Sequence, residues 1–106
     1  MFRGILSTIY VDLNNGIKIK NVNAELKKYF KNEYFIKIAD PGTFISTNDV
    51  INTNNCIISV CNSKNKNKLI ILSAIDNLIK GGSGQAVQNM NIRFNFKENE
   101  GLNVKN

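Results

Sequence analysis

The sequence predicts an α+β domain of two layers, a mostly antiparallel sheet with helices on one face. Three observations predict it. Four runs have strand-like alternation or continuous apolarity. Two stretches carry apolar residues at helical spacing. One strand run, 68–75, is apolar on both faces and must be covered on both.

The elements follow in chain order. Arg3 to Leu13 reads as the first strand. Ile5, Ile9, Val11 and Leu13 share one parity with Ser7, while Leu6, Thr8 and Tyr10 share the other. Both faces are semi-apolar, which places this strand inside the sheet. Asn14-Asn15-Gly16 is a turn signal. Asn21 or Asn23 can cap a short helix running to about Lys31. Val22, Leu26, Tyr29 and Phe30 form its apolar face, and Glu25, Lys27, Lys28 and Lys31 lie largely on the solvated one. Tyr34 to Ile38 is the second strand, and Asp40-Pro41-Gly42 turns the chain. Residues 43–55 read as a polar loop with room for one short strand. Cys56 to Cys61 is the third strand, 62–67 a polar hairpin loop, and Lys68 to Ile75 the fourth strand. One cover for that fourth strand comes from the chain's own helices; the other must come from a partner. The tail after Phe96 is polar and expected to be partly mobile.

The stretch from Ser73 to Met90 organises the rest. It leaves the fourth strand, passes an Asp76-Asn77 corner and a glycine cluster, and ends as an amphipathic helix. Gly81, Gly82 and Gly84 lack Cβ, so the backbone there can take positive φ or lie against another surface. Ser83 can cap the following helix. Ala86, Met90 and Phe94, with Val87 beside them, form a core-facing stripe. Gln85, Gln88 and Asn89 form an amide-rich face suited to a polar ligand, because amides both donate and accept. The plainer alternative is a β-turn-α connection whose glycines only allow tight packing.

Composition narrows the function classes. The 106 residues suit one domain. With 42% hydrophobic and 21% charged residues, the mix is that of a globular protein. No apolar run approaches the ~20 residues of a membrane helix, and the N-terminus lacks the pattern of a signal peptide, so a cytoplasmic location and no membrane partner are expected. Cys56 and Cys61 are an odd number of residues apart in one strand, on opposite faces, which disfavours a bridge. With no histidine in the chain they make a poor zinc site, and no metal is expected. Buried, reduced thiols fit a reducing compartment. The net charge of +6 invites a nucleic-acid reading. Many of the lysines alternate with asparagine, as in Lys64-Asn65-Lys66-Asn67-Lys68, and they form no stripe. A solvated basic surface is the better account, and no nucleic-acid partner is expected.

The string Asp76-Asn77-Leu78-Ile79-Lys80-Gly81-Gly82-Ser83-Gly84-Gln85-Ala86-Val87-Gln88-Asn89-Met90-Asn91 closely resembles the signature near the C-terminus of the N-acetyl-gamma-glutamyl-phosphate reductase family, in the semialdehyde dehydrogenase group. The likeness covers nearly the whole chain. Met1 to Val11 is similar to the family segment following its histidine-containing Pro-Met motif. Glu33 to Ile38 is similar to its Glu-Pro-Phe-Val-Arg-Val strand. Ser46 to Val50 and Thr53 to Cys56 look like its Ser-Thr-Lys-x-Val and Gly-Ser-Asn-x-Cys stretches. The resemblance implies part of a glyceraldehyde-3-phosphate dehydrogenase-like C-terminal domain.

Enzymes of this family reduce N-acetyl-gamma-glutamyl phosphate to its semialdehyde with NADPH, in arginine biosynthesis. A cysteine thiolate expels phosphate and leaves a thioester, a histidine handles protons, and a Rossmann domain holds the NADPH that delivers hydride. This chain has no histidine, no Gly-x-Gly-x-x-Gly unit, and a Cys56 at a non-catalytic family position, so no catalytic residue is assigned. Residues 1–106 are expected to be a single partial C-terminal domain for substrate binding and dimerisation, with the N-terminal Rossmann domain absent. Met1 matches the methionine of the Pro-Met motif; a split gene, a truncated gene and an internal start all remain open. The resemblance implies that Asn77 bonds the nicotinamide carboxamide of NADP, with Gly81, Gly82 and Gln85 on the same surface; the alternative for Asn77 is a turn residue bonding its own backbone. Arg3 is the candidate for the substrate's phosphate or carboxylate, with a surface salt bridge as its alternative.

Two function classes follow, with a nucleic-acid binder as a third that lacks the aromatic-basic strand motif. The first is an enzyme portion, inactive alone, whose partner is a separately encoded N-terminal reductase domain. The second is a non-catalytic oligomerisation module or a decayed remnant. A homo-oligomer is expected for either.

Overall fold

A computed structural model describes residues 2–102. Met1, read above as the methionine of the Pro-Met motif, lies outside them, as do residues 103–106. The order is β1 (Ile5–Asp12), α1 (Ile19–Tyr29), β2 (Ile36–Ile38), a 3-10 turn (Thr47–Asp49), β3 (Cys56–Asn62), β4 (Lys68–Ile75), a π-helical turn (Ile79–Ser83) and α2 (Gly84–Arg93). The class is α+β, as the pattern predicts.

The sheet order is β1-β4-β3-β2. β4 is central and pairs antiparallel with β1, from Ile5 opposite Ile75 to Asp12 opposite Lys68. It also pairs antiparallel with β3, from Cys56 opposite Ile75 to Asn62 opposite Leu69. β2 adds to β3 in parallel, and the chain between them, including the 3-10 turn, makes the crossover such a pair requires.

β1 is therefore an edge strand, not an interior one. Its semi-apolar faces are real, but they are open: Ile5, Leu6, Ile9 and Tyr10 are all exposed. An apolar face signals that something covers it; it does not say whether the cover belongs to the same chain.

The loop 43–55 lies on one sheet face and contains no strand. Its Ile45 and Val50 form the core with Ala74 of β4, joined by Ile57 and Leu72. Ser59 donates its hydroxyl to the Thr43 carbonyl, pinning the start of the loop to β3. α1 packs on β2 and β3, and Phe30 shares a shallow groove with Ile36 and Ile38. α1 begins earlier than either asparagine allows as a cap. Asn21 is its third residue and accepts from the Lys18 N–H at 2.9 Å. Asn23 is buried and donates to the Ala39 carbonyl at 2.8 Å. Tyr29, assigned to the apolar face, is exposed.

α2 is turned inside out relative to its predicted faces. Its buried positions are Gly84, Gln88 and Asn91, which recur at helical spacing. Ala86, Met90 and Phe94 point to solvent. The reason is steric as well as polar. A Cβ on Gly84 would collide with Asn54 Oδ1 and approach Ile79 Cγ2 within 2.6 Å, so the helix comes too close here for a bulky apolar row. Buried amides then close the contact: Asn54 Nδ2 donates to Gln88 Oε1 at 2.9 Å, and Gln88 Nε2 to Glu98 Oε1 at 2.9 Å.

Ser83 is not an N-cap. It is already helical in φ and ψ, and its hydroxyl donates to the Leu78 carbonyl within the π turn. None of Gly81, Gly82 and Gly84 has positive φ; Gly84 allows close approach, while Gly82, at φ −148° and ψ −116°, marks a kink between the π-helical turn and α2. The tail, expected to be mobile, is tied back as far as Leu102. Asn91 Nδ2 donates to the carbonyls of Glu98 (3.0 Å) and Glu100 (2.9 Å), and Leu102 is buried. Cys56 and Cys61 are free thiols on opposite faces of β3. Among the described residues no helix is long and apolar enough to cross a membrane.

Candidate functional site

The site forms where β4 ends. Asp76 is fully buried, and its carboxylate gathers four donors. Oδ1 accepts from the N–H groups of Leu78 (2.8 Å) and Ile79 (3.1 Å), which starts the π turn. Oδ2 accepts from the Asn52 N–H (2.8 Å) and pairs with the Arg3 guanidinium (2.9 Å). Burial alone pushes the carboxyl upward. The donors at Asn52, Leu78 and Ile79, together with Arg3, outweigh it and hold the group below the ordinary carboxylate value.

Asn77 sits beside it, half-buried. Its Oδ1 accepts from the Gly4 N–H at 2.7 Å. Gly4 has φ +106°, and a Cβ there would lie 2.5 Å from Thr47 Cβ, so only glycine fits. Two predicted site residues, Arg3 and Asn77, are thus brought to one corner by adjacent contacts. Arg3 is already engaged by Asp76, and its Nε is buried without a partner. It is the partly exposed half of a clamp whose other half, Asp76, is buried, which is the salt-bridge alternative for this residue. Asn77 Nδ2 has no hydrogen-bond partner among the described residues, so the amide keeps a donor to spare while its oxygen holds Gly4.

The remaining predicted residues spread along the bend. Gly81 donates its N–H to the Asp76 carbonyl at 2.9 Å, and Gly82 is exposed. Gln85 is partly exposed and donates to Asn89 Oδ1 at 2.8 Å. The residue that sequence reasoning missed is Lys80. Its ammonium donates to Gln88 Oε1 at 2.7 Å and lies 5.5 Å from the centre of the Phe35 ring. Burial lowers its pKa, opposed by attraction to Cys56, Glu98 and Glu33. The one signal for it was a lone charge inside a glycine cluster. For Asp76 the signal was stronger: an Asp just before a turn often accepts from the N–H groups two and three residues on. Among the described residues no three Cys, Asp or Glu side chains converge as a metal site would require.

Residues 1–77 match the family model described as semialdehyde dehydrogenase, dimerisation domain. The chain belongs to the semialdehyde dehydrogenase dimerisation-domain family. The family match takes in both sides of the corner, Arg3-Gly4 and Asp76-Asn77. Curated relatives extend the similarity across the bend and α2. An N-acetyl-gamma-glutamyl-phosphate reductase of Thermoanaerobacter sp. (strain X514) is 49% identical over 98% of this chain and 30% of its own length. Proteins of the same name from Clostridium botulinum (strain Eklund 17B / Type B) and Staphylococcus aureus (strain USA300) are 46% and 43% identical, over 96% and 97% of this chain. The chain spans about 30% of the length of these relatives.

Proposed function

We propose that this chain is the C-terminal, dimerising portion of an NADPH-dependent reductase acting on N-acetyl-gamma-glutamyl phosphate in arginine biosynthesis, and that it is inactive alone. The observation that carries the reading is the corner itself. Gly4 holds Asn77 by its oxygen and leaves Nδ2 without a hydrogen bond among the described residues, so that it can donate to the carboxamide oxygen of a nicotinamide. Asp76 and Arg3 hold that corner rigid. NADPH would supply the hydride; this chain's own part is to orient the ring.

Two open apolar surfaces supply the rest of the reading. The exposed residues of β1, Ile5 and Ile9 on one face and Leu6 and Tyr10 on the other, leave this edge strand open to a second copy, in keeping with the family description. Met90 and Phe94, one turn apart on α2, and Phe96 beside Phe94 form another. We assign that one to the portion bearing the reactive cysteine, the histidine and the Rossmann loop. A non-catalytic oligomerisation module is the second reading, favoured by the open β1 edge alone.

The test is complementation. The purified chain should show no NADPH oxidation with N-acetyl-gamma-glutamyl phosphate. Activity should appear when it is co-expressed with the preceding portion of a relative. If the relative's portion is equally active without this chain, the enzyme reading fails.

A further inference from the structure

A second concave site lies at the other end of the sheet. β1 runs from the Ile5–Ile75 pair at the Asp76 corner to the Asp12–Lys68 pair, roughly 20–25 Å away. There the β1–α1 loop and the β3–β4 hairpin enclose a cleft of about 610 Å³. That volume lies within the ~300–1,000 Å³ of small-molecule pockets. Leu13, Ile17 and Ile19 give it an apolar floor. Lys18 at the end of the β1–α1 loop and Lys20 in the first turn of α1 line one side, Lys64 and Lys66 of the hairpin the other.

The charge balance at this cleft is one-sided. No Asp or Glu is among its lining residues. Lys68 also lines it, but is paired with Asp12. The other ion pairs among the described residues, Arg3–Asp76 and Lys27–Asp40, involve no lining residue. Four lysines therefore line one concavity, none of them with a carboxylate partner among the described residues. Like charges around a concave apolar surface focus a positive potential into it. The Lys-Asn alternation of the hairpin, a solvated surface by its sequence alone, delivers two of the four to this one place.

We propose that this cleft binds a small phosphorylated polyanion carrying an apolar ring, of the nucleoside triphosphate class. A triphosphate carries the compensating charge, and the ring covers the floor that a bare phosphate chain would leave wet. A nucleic-acid strand fits less well, because no aromatic side chain lines the cleft to stack on successive bases.

The test is an amide-resolved NMR titration of the full chain with ATP, inorganic tripolyphosphate and a short RNA oligonucleotide. ATP should give saturable shifts at Leu13, Ile17, Ser63 and Asn65. Its binding should be about fivefold or more tighter than that of tripolyphosphate and should weaken as salt rises. The double variant K18E/K64E should weaken it by about tenfold or more, and K27E, outside the cleft, by less than about twofold. If the glutamate pair disturbs the spectrum, K18Q/K64Q serves in its place. Absent or scattered shifts, equal affinity for tripolyphosphate, tighter binding of the oligonucleotide at the same amides, or equal loss in K27E would each overturn the proposal.

Discussion

Arg3 and Asp76 are ion-paired at 2.9 Å, with the Asp76 side chain fully removed from solvent. The neighbouring Gly4–Asn77 hydrogen bond spans 73 positions of sequence. Together they staple the approach to β1 onto the exit from β4, and they set the direction in which Asn77 faces.

Removing the acceptor should be costly. In Asp76→Asn, one carboxylate oxygen becomes a donor facing backbone N–H groups, and the partly exposed Arg3 loses its counter-charge. Breaking a buried pair from one side costs about 3–5 kcal/mol. Urea unfolding of the variant should show a loss of that order with an unchanged m-value. A loss under about 0.5 kcal/mol would mean the clamp contributes nothing.

Acid should act through the same group. The folded pKa of Asp76 lies below its ordinary value, so the group binds protons more readily when unfolded. Its stabilising contribution is complete above an unfolded pKa of about 3.9 and is lost as pH falls through the lower folded value. Unfolding free energy should therefore fall more steeply with acid below about pH 4 in the wild-type chain than in Asp76→Asn. Parallel pH profiles would contradict this.

The glycine cluster divides by contact. At Gly84 an added methyl meets Asn54 Oδ1, Ile79 Cγ2 and the Ile79 carbonyl, none with room to move. Gly84→Ala should cost about 1–3 kcal/mol or more. At Gly81 the nearest atom is Ile75 Cδ1 at 3.2 Å, the end of a flexible side chain. Gly81→Ala should cost less than about 1 kcal/mol. Thermal unfolding of the two variants should rank them in that order; the reverse order would refute the packing at Gly84.

The open strip on β1 makes a separate prediction. Tyr10 is 69% exposed, so Tyr10→Glu should change the stability of one copy by no more than about 0.5 kcal/mol. Light scattering should nonetheless show the wild-type chain associating and the variant shifted toward monomer. Identical masses at all concentrations would remove the strip from the interface.

What was legible in the sequence follows from which groups each pattern reports on. β4 was legible residue for residue, because a run apolar on both faces between polar loops has no other solution in a small domain. β3 and the α+β class followed from the same evidence. The position of β1 was not legible, because its alternation reports that both faces need cover and is silent on whose chain supplies it. α2 misled for a related reason. Met90, Phe94 and their neighbours form a true stripe, but Gly84 and the hydrogen-bond chain from Asn54 through Gln88 to the Glu98 carboxylate decide which side faces inward. Arg3 and Asn77 could be named from sequence. That Asp76 would bind one and sit beside the other depends on a register 73 positions long, which no local pattern contains.

The central claim is that the corner aims Asn77 at a nicotinamide. The most direct measurement is NADPH affinity of the complemented enzyme with wild-type Asn77 and with Asn77→Ala, circular dichroism confirming that both fold. Loss of one donor to a neutral acceptor predicts affinity weaker by about tenfold; affinity unchanged within about twofold would contradict the account.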